Sequence, residues 1–175
     1  VIVDAVPARS YPHGTLAAQV FGYIREISKE QLANNDFYKR GDIVGQTGVE
    51  KSWEEELRGK AGFKGVEVDA SGNRTKELGG LPDEAGNDLE LTLDLDLQEA
   101  AEKGLNGRKG AVIVLDPNSG EVLALASAPS FDPSIFSGNM QAGEWGKLMS
   151  DRSLPMTVRP IASTYPVGST FKLIT

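Results

Sequence analysis

The feature that most constrains this chain is a turn sequence set between two apolar runs. Asp116-Pro117-Asn118-Ser119-Gly120 gathers the residues that favour a tight reversal. Residues 111–115 before it are uninterrupted apolar, and 121–127 after it have the pattern of a returning strand. Together they predict an antiparallel β-hairpin. The unbroken run 111–115 further predicts a strand buried on both faces. A second hairpin is expected in the first half. There residues 63–68 alternate, Ala70-Ser71-Gly72-Asn73 turns, and 74–78 can return.

Short helices are expected around these hairpins. Ser28-Lys29-Glu30-Gln31 has the spelling of a capping box. Thr47-Gly48-Val49-Glu50 has it again and opens a longer helix, which Gly59 stops. In that helix Val49, Trp53 and Leu57 share a face at i, i+4, i+8, so Trp53 is expected in the core. The acidic run Glu54-Glu55-Glu56 is expected on a solvated face. Residues 1–6 alternate like a strand, whereas 16–27 is mostly apolar and fits strand or helix. Residues 89–93 have strand character, and Asp94 or Asp96 can cap a helix running to about Leu105. A loop at 128–143, a short helix at 144–149 and an irregular stretch at 161–168 follow, with a helix from about Ser169. Residues 81–87, rich in Pro, Gly, Asp and Asn, are the expected linker. The fold class is α+β in two parts, 1–88 and 89–175.

Composition excludes several functions. The 175 residues carry a net charge of −7, which disfavours a nucleic-acid partner. There is no cysteine, so disulfides and thiolate metal sites are out. The one histidine, His13, sits in a Tyr-Pro-His-Gly turn. That excludes a multi-histidine metal site and argues against a Ser-His-Asp triad. No cofactor is expected. No apolar stretch approaches the ~20 residues of a membrane-spanning helix, and no signal peptide is visible. Val1 falls inside a strand-like run and Thr175 inside a helical one, so a longer parent protein is expected.

One motif carries nucleophile chemistry. Ser169 and Lys172 are spaced i, i+3, which on a helix puts hydroxyl and amine on one face. A serine hydroxyl needs a nearby base. A lysine serves when burial and a positive dipole lower its pKa. Pro166-Val167-Gly168 places Ser169 at the helix N-terminus, where a backbone N–H can supply half of an oxyanion hole. Thirteen serines and ten lysines give roughly one such pair by chance, so the spacing alone decides nothing.

The surroundings decide it. Tyr165-Pro166-Val167-Gly168-Ser169-Thr170-Phe171-Lys172 resembles the nucleophile segment of class B penicillin-binding proteins. Gly110-Ala111-Val112-Ile113-Val114-Leu115-Asp116-Pro117 and Gly120-Glu121-Val122-Leu123-Ala124-Leu125-Ala126-Ser127 resemble the hairpin before it, and Pro129-Ser130-Phe131-Asp132-Pro133 the loop between. Leu91-Thr92-Leu93-Asp94 with Leu97-Gln98 is similar to the family's entry into its transpeptidase domain. Arg9-Ser10-Tyr11-Pro12, Val20-Phe21-Gly22-Tyr23, Gly45-Gln46-Thr47-Gly48-Val49-Glu50 and Leu57-Arg58-Gly59 are similar to its pedestal. The resemblance covers nearly the whole chain. Two departures stand out: Val167 in place of a second proline, and Val158-Arg159 in place of Asn-Arg; the second is expected to alter packing under the nucleophile helix.

The resemblance implies a twisted antiparallel pedestal over 1–88, and over 89–175 the incomplete opening of a penicillin-binding transpeptidase domain. It implies peptidoglycan cross-linking by the parent, with Ser169 as nucleophile and Lys172 as base. The substrates implied are stem peptides ending in D-Ala-D-Ala, which beta-lactams mimic. It also implies a membrane-anchored enzyme on the periplasmic face, partnered by a membrane glycosyltransferase and cell-shape scaffold proteins. The stretch 26–45 is similar to the longer connection of the elongation, cell-shape type, with division or sporulation types as alternatives. The family's second and third motifs, Ser-x-Asn and Lys-Thr-Gly or Lys-Ser-Gly, follow the first. Here Ser71-Gly72-Asn73 and Ser137-Gly138-Asn139 precede Ser169, and no Lys-Thr-Gly or Lys-Ser-Gly occurs. The 175 residues alone are therefore expected to be inactive. A different class of function, residues 1–88 as a docking module, is the main alternative. A beta-lactam sensor or beta-lactamase is disfavoured by the pedestal-like first half.

Overall fold

The computed structural model describes residues 8–35, 37–138 and 143–174, so the strand expected at 1–6 and Asn139 lie outside the described residues. The ambiguous run 16–27 contains both conformations: helix α1 (Ala18–Phe21), then strand β1 (Ile24–Glu26). They part at Gly22, whose φ is 81°. A Cβ at Gly22 would overlap the Thr47 carbonyl, so only glycine lets these segments cross. Strand β1 pairs antiparallel with β2 (Ile43–Gly45). Between them lies α2 (Lys29–Ala33), opened by a complete capping box. The Gln31 amide donates to Ser28 Oγ, and the Ser28 amide donates back to Gln31 Oε1.

The second capping box does not form. Thr47 precedes α3 (Gly48–Ser52) in an extended conformation but makes no side-chain cap bond. Glu50, its expected partner, is buried and already engaged. It accepts from Arg9 Nη2 at 2.8 Å and from the Tyr11 hydroxyl at 3.3 Å. Burial, with Glu50 beside it, pushes the Tyr11 phenol well above its ordinary range. The helix breaks at Trp53 and resumes as α4 (Glu54–Arg58). With the common register lost, Trp53 is 47 % exposed rather than in the core. The acidic run is also not simply a solvated face. Glu54 accepts from the Gly45 amide at 2.7 Å and from Arg58 at 3.3 Å, and Glu56 accepts from Asn87 Nδ2 at 2.9 Å.

The hairpin expected at 63–78 forms as β3 (Phe63–Val68) and β4 (Arg74–Leu81), with β-bulges after Gly65 and Glu67. It reaches Leu81, inside the stretch expected to be a linker. The next residues are tied down too. Lys60 and Glu84 form an antiparallel bridge, and the Asn87 amide donates to the Glu56 carbonyl at 2.7 Å. Residues 81–87 are therefore a strap along α4, not a free tether. Every residue of β4 is exposed.

Residues 89–93 do not form the expected strand. They run beside the next hairpin with the Thr92 hydroxyl donating to the Val122 carbonyl. Asp94 caps α5 (Leu95–Leu105), accepting from the Leu97 amide at 2.9 Å. Strands β5 (Gly110–Leu115) and β6 (Val122–Ala128) then pair antiparallel. Helix α5 packs on one face of this sheet, where Ala101 meets Ala124 and Ala126. The small side chains let helix and strand approach closely. The other face of β5 is open, with Ile113 and Leu115 half exposed, so the double-sided burial expected for 111–115 is absent.

A second core joins the halves of the chain. Ala18 and Tyr23 from the first half pack with Phe131 and Phe136, and Trp145, Leu148 and Met156 close around them. Tyr23 stacks on Phe136 with ring centroids 4.1 Å apart. Phe136 ends a 3-10 turn (Pro133–Phe136), and Trp145 belongs to α6 (Glu144–Ser150). The result is the expected α+β chain, with its two parts meeting around one aromatic cluster.

Candidate functional site

The segment that carries Ser169 is held from below by buried polar groups. Helix α7 (Arg159–Ala162) starts at Arg159, which is 3 % exposed. The Arg159 amide donates to Ser127 Oγ at 3.2 Å, and that hydroxyl donates to the Thr157 carbonyl at 2.8 Å. The Arg159 guanidinium curls back, with Nη2 donating to the Ser153 and Leu154 carbonyls. Val158 precedes α7 without a side-chain cap bond. An Asn there could supply one.

Beyond Ala162 the chain has no regular structure up to Gly168, and from Thr164 onward it is exposed. Gly168, with φ at 54°, opens a 3-10 turn (Gly168–Leu173). Side chains three apart eclipse in such a turn, so Ser169 and Lys172 lie on one side of it. Both are exposed, and no hydrogen bond joins them among the described residues. The structure thus corrects one expectation. The segment is a 3-10 turn rather than the start of an α-helix, and Lys172 is exposed on it. Exposure explains the turn. A helix draws most of its stability from burying an apolar face. Tyr165, Val167, Phe171 and Ile174 are each at least half exposed. Beside this segment a cleft of about 510 Å³ lies between β5 and α7, bordered by Ile113, Pro160, Ser163 and Tyr165.

The other candidates fall where turns and loops were expected. Ser71-Gly72-Asn73 is the tip of the β3–β4 hairpin, with Asp69 accepting from the Ser71 and Asn73 amides. Ser137 follows the Pro133–Phe136 turn with its hydroxyl buried and without a hydrogen bond among the described residues, and Asn139 lies outside them. His13 is an exposed turn residue whose carbonyl accepts from the Leu16 amide. The sequence reading did not give Gln19 or Ser127 a supporting role, and it flagged Arg159 only as part of a departure in packing; all three are buried. Gln19 had a signal, being a polar residue inside the apolar run 16–27.

Sequence families match both halves. The penicillin-binding protein dimerisation domain matches residues 1–91, and the penicillin-binding protein transpeptidase domain matches 110–175. The chain belongs to the penicillin-binding proteins. This penicillin-binding protein is 40 % identical over 174 residues to the peptidoglycan D,D-transpeptidase MrdA of Acinetobacter baumannii, covering 98 % of the chain and 26 % of that protein. The chain of PBP2 in a complex with MreC from Helicobacter pylori superposes with a TM-score of 0.76 at 34 % identity, over 95 % of this chain and 31 % of the other. A structure described as the structural coordination of polymerization and crosslinking by a peptidoglycan synthase complex gives 0.79 at 40 % identity, with 95 % and 31 % covered. These relatives are of the class B, elongation type expected from sequence. The chain spans about a quarter of the length of the curated relatives it matches.

Proposed function

We propose that Ser169 is the acylated nucleophile and Lys172 the general base of a peptidoglycan D,D-transpeptidase of the elongation type. The observation that carries this is their shared side of one turn, within the segment matched by the transpeptidase family. Ser169 Oγ attacks the carbonyl carbon between the two terminal D-alanines, and Lys172 Nζ takes the hydroxyl proton. Collapse of the tetrahedral adduct expels the last D-alanine as an amine, which takes up a proton. An ester to Ser169 remains. The amine of a neighbouring stem attacks that ester, forming the cross-link and freeing the hydroxyl. A beta-lactam acylates the same oxygen by opening its ring amide.

Residues 1–88 form the pedestal and 89–175 begin the transpeptidase domain in this reading, with the protein working at the outer face of the bacterial membrane. Among the described residues no helix is long and apolar enough to cross a membrane. Intact-mass measurement of the full-length protein after penicillin treatment tests the assignment. One adduct is expected, absent in Ser169→Ala, and an adduct that survives Ser169→Ala refutes it. A second reading, the first half as a docking surface, is favoured by the exposed apolar residues Phe63, Leu78 and Leu81 of the β3–β4 arm. It is compatible with the first. A membrane glycosyltransferase or a scaffold protein such as the MreC bound by the Helicobacter relative is the partner it calls for.

A further inference from the structure

The geometry points to Gln19 and Ser127 as positioning residues that set where the Ser169 turn stands. The inference rests on the reading of Ser169 as nucleophile. Arg159 is the last buried residue before Ser169 among the described residues, and the chain from Tyr165 to Ser169 is exposed throughout. The strap from Pro155 to Arg159 is therefore the last firmly packed support of the turn. Two side chains from distant parts of the sequence hold it. Gln19 Nε2 donates to the Pro155 carbonyl at 2.8 Å and to the Pro129 carbonyl at 3.1 Å. Ser127 Oγ donates to the Thr157 carbonyl and accepts from the Arg159 amide. Both residues are almost fully buried.

Neither side chain touches the reacting groups, so neither is catalytic. Among the described residues these side chains are the hydrogen-bond donors to the Pro155, Pro129 and Thr157 carbonyls, and leaving a buried or half-buried polar group unmet is costly. Gln19 belongs to the first half and Ser127 to β6. The amide of Gln19 thus ties the pedestal directly to the strap under the nucleophile. Loss of either clamp lets the strap shift, and displacement of a reacting group by about 1 Å costs on the order of 100-fold in rate. A partial slackening is expected to cost about tenfold.

The test follows acylation of the full-length protein by a fluorescent penicillin, with Gln19→Met and Ser127→Ala as variants. The rate at saturating penicillin should fall about tenfold in each, with unchanged half-saturation and full final labelling. Full labelling shows that the whole population is folded, which separates positioning from simple loss of structure. A saturating rate equal to that of the unsubstituted protein overturns the proposal. So does a fall in final labelling with no change in rate, which marks a purely structural role. If the unsubstituted protein takes up no penicillin, the nucleophile reading fails by itself. The clamp is then judged by hydrogen exchange at the Ile161 and Ala162 amides, which donate to the Val158 carbonyl. Each substitution must speed that exchange about tenfold for the clamp to stand.

Discussion

The β3–β4 and β5–β6 hairpins share a topology and differ in what covers them. Both pair antiparallel, both carry a β-bulge, and both turn on an aspartate. In β5–β6, Ala124 and Ala126 are sealed beneath α5. In β3–β4 all eight residues of β4 are exposed. Pairing is thus written in the local sequence, while stability comes from what packs on the pair. A bare two-stranded hairpin is marginal in water. The β5–β6 hairpin is part of a core, and β3–β4 is an arm.

The strongest way to break this contrast is to loosen the covered hairpin from its helix. Gln98 is 2 % exposed and bonds β6 through both ends of its amide, accepting from the Leu125 amide at 2.7 Å and donating to the Leu125 carbonyl. It also donates to Glu102, which in turn accepts from the Ala17 amide. Gln98→Leu strands the Leu125 amide and carbonyl, takes one donor from Glu102, and is expected to cost about 3 kcal/mol in chemical denaturation. A loss below about 1 kcal/mol would mean that α5 holds the hairpin by apolar contact alone. Next comes packing. Ala126→Leu forces methyl groups under α5 and should cost about 2 kcal/mol, whereas Leu78→Thr on the open arm should stay within about 0.5 kcal/mol. Equal effects on thermal midpoint would erase the distinction between the hairpins.

How far these differences were legible in the sequence depends on the residue. The Asp116 turn and the Ser28 capping box were legible because their determinants are local. Both hairpins and the Asp94 cap followed from the same kind of signal. Thr47 had the same spelling as Ser28, yet its box stays open because Arg9 and Tyr11, some forty residues away, claim Glu50. Trp53 is half exposed because the helix breaks beneath it, a tertiary event that periodicity cannot show. The Ser169–Lys172 pair was singled out by its surroundings, and its placement on one side of a turn survived the change from α-helix to 3-10. Its support was not found. Gln19 and Ser127 act through backbone carbonyls remote in sequence, and no spacing rule links residues 19, 127 and 155.

Hydrogen exchange should resolve the contrast without any substitution. Amides of the β5–β6 ladder are expected to exchange at least about 100-fold more slowly than those of β3–β4, since opening the former exposes the α5 core. Comparable protection in both would require the arm to be covered by something in solution, and would turn attention to Phe63, Leu78 and Leu81 as the covered residues.

The smallest effect is the most discriminating, because it acts on the same device in both hairpins. Asp69 accepts from the Ser71 and Asn73 amides, and Asp116 accepts from the Asn118 and Ser119 amides. Hydrogen bonds from Asn73 hold the Asp69 carboxyl below its usual range, and those from Asn118 and Ser119 do the same for Asp116. A carboxyl depressed in the folded state stabilises it above the unfolded pKa. That contribution fades as pH falls through the folded pKa. Acidification should therefore loosen both turns. In β5–β6 the strands stay paired because α5 still covers them. In β3–β4 the turn is a larger share of what holds the arm, so its amides should lose protection as pH drops below the ordinary carboxylate range. Asp69→Ala should abolish that loss by removing the protection at every pH, while Asp116→Ala leaves β5–β6 protection nearly unchanged. Parallel acid loss in both hairpins would show that α5 contributes little beyond the turn itself.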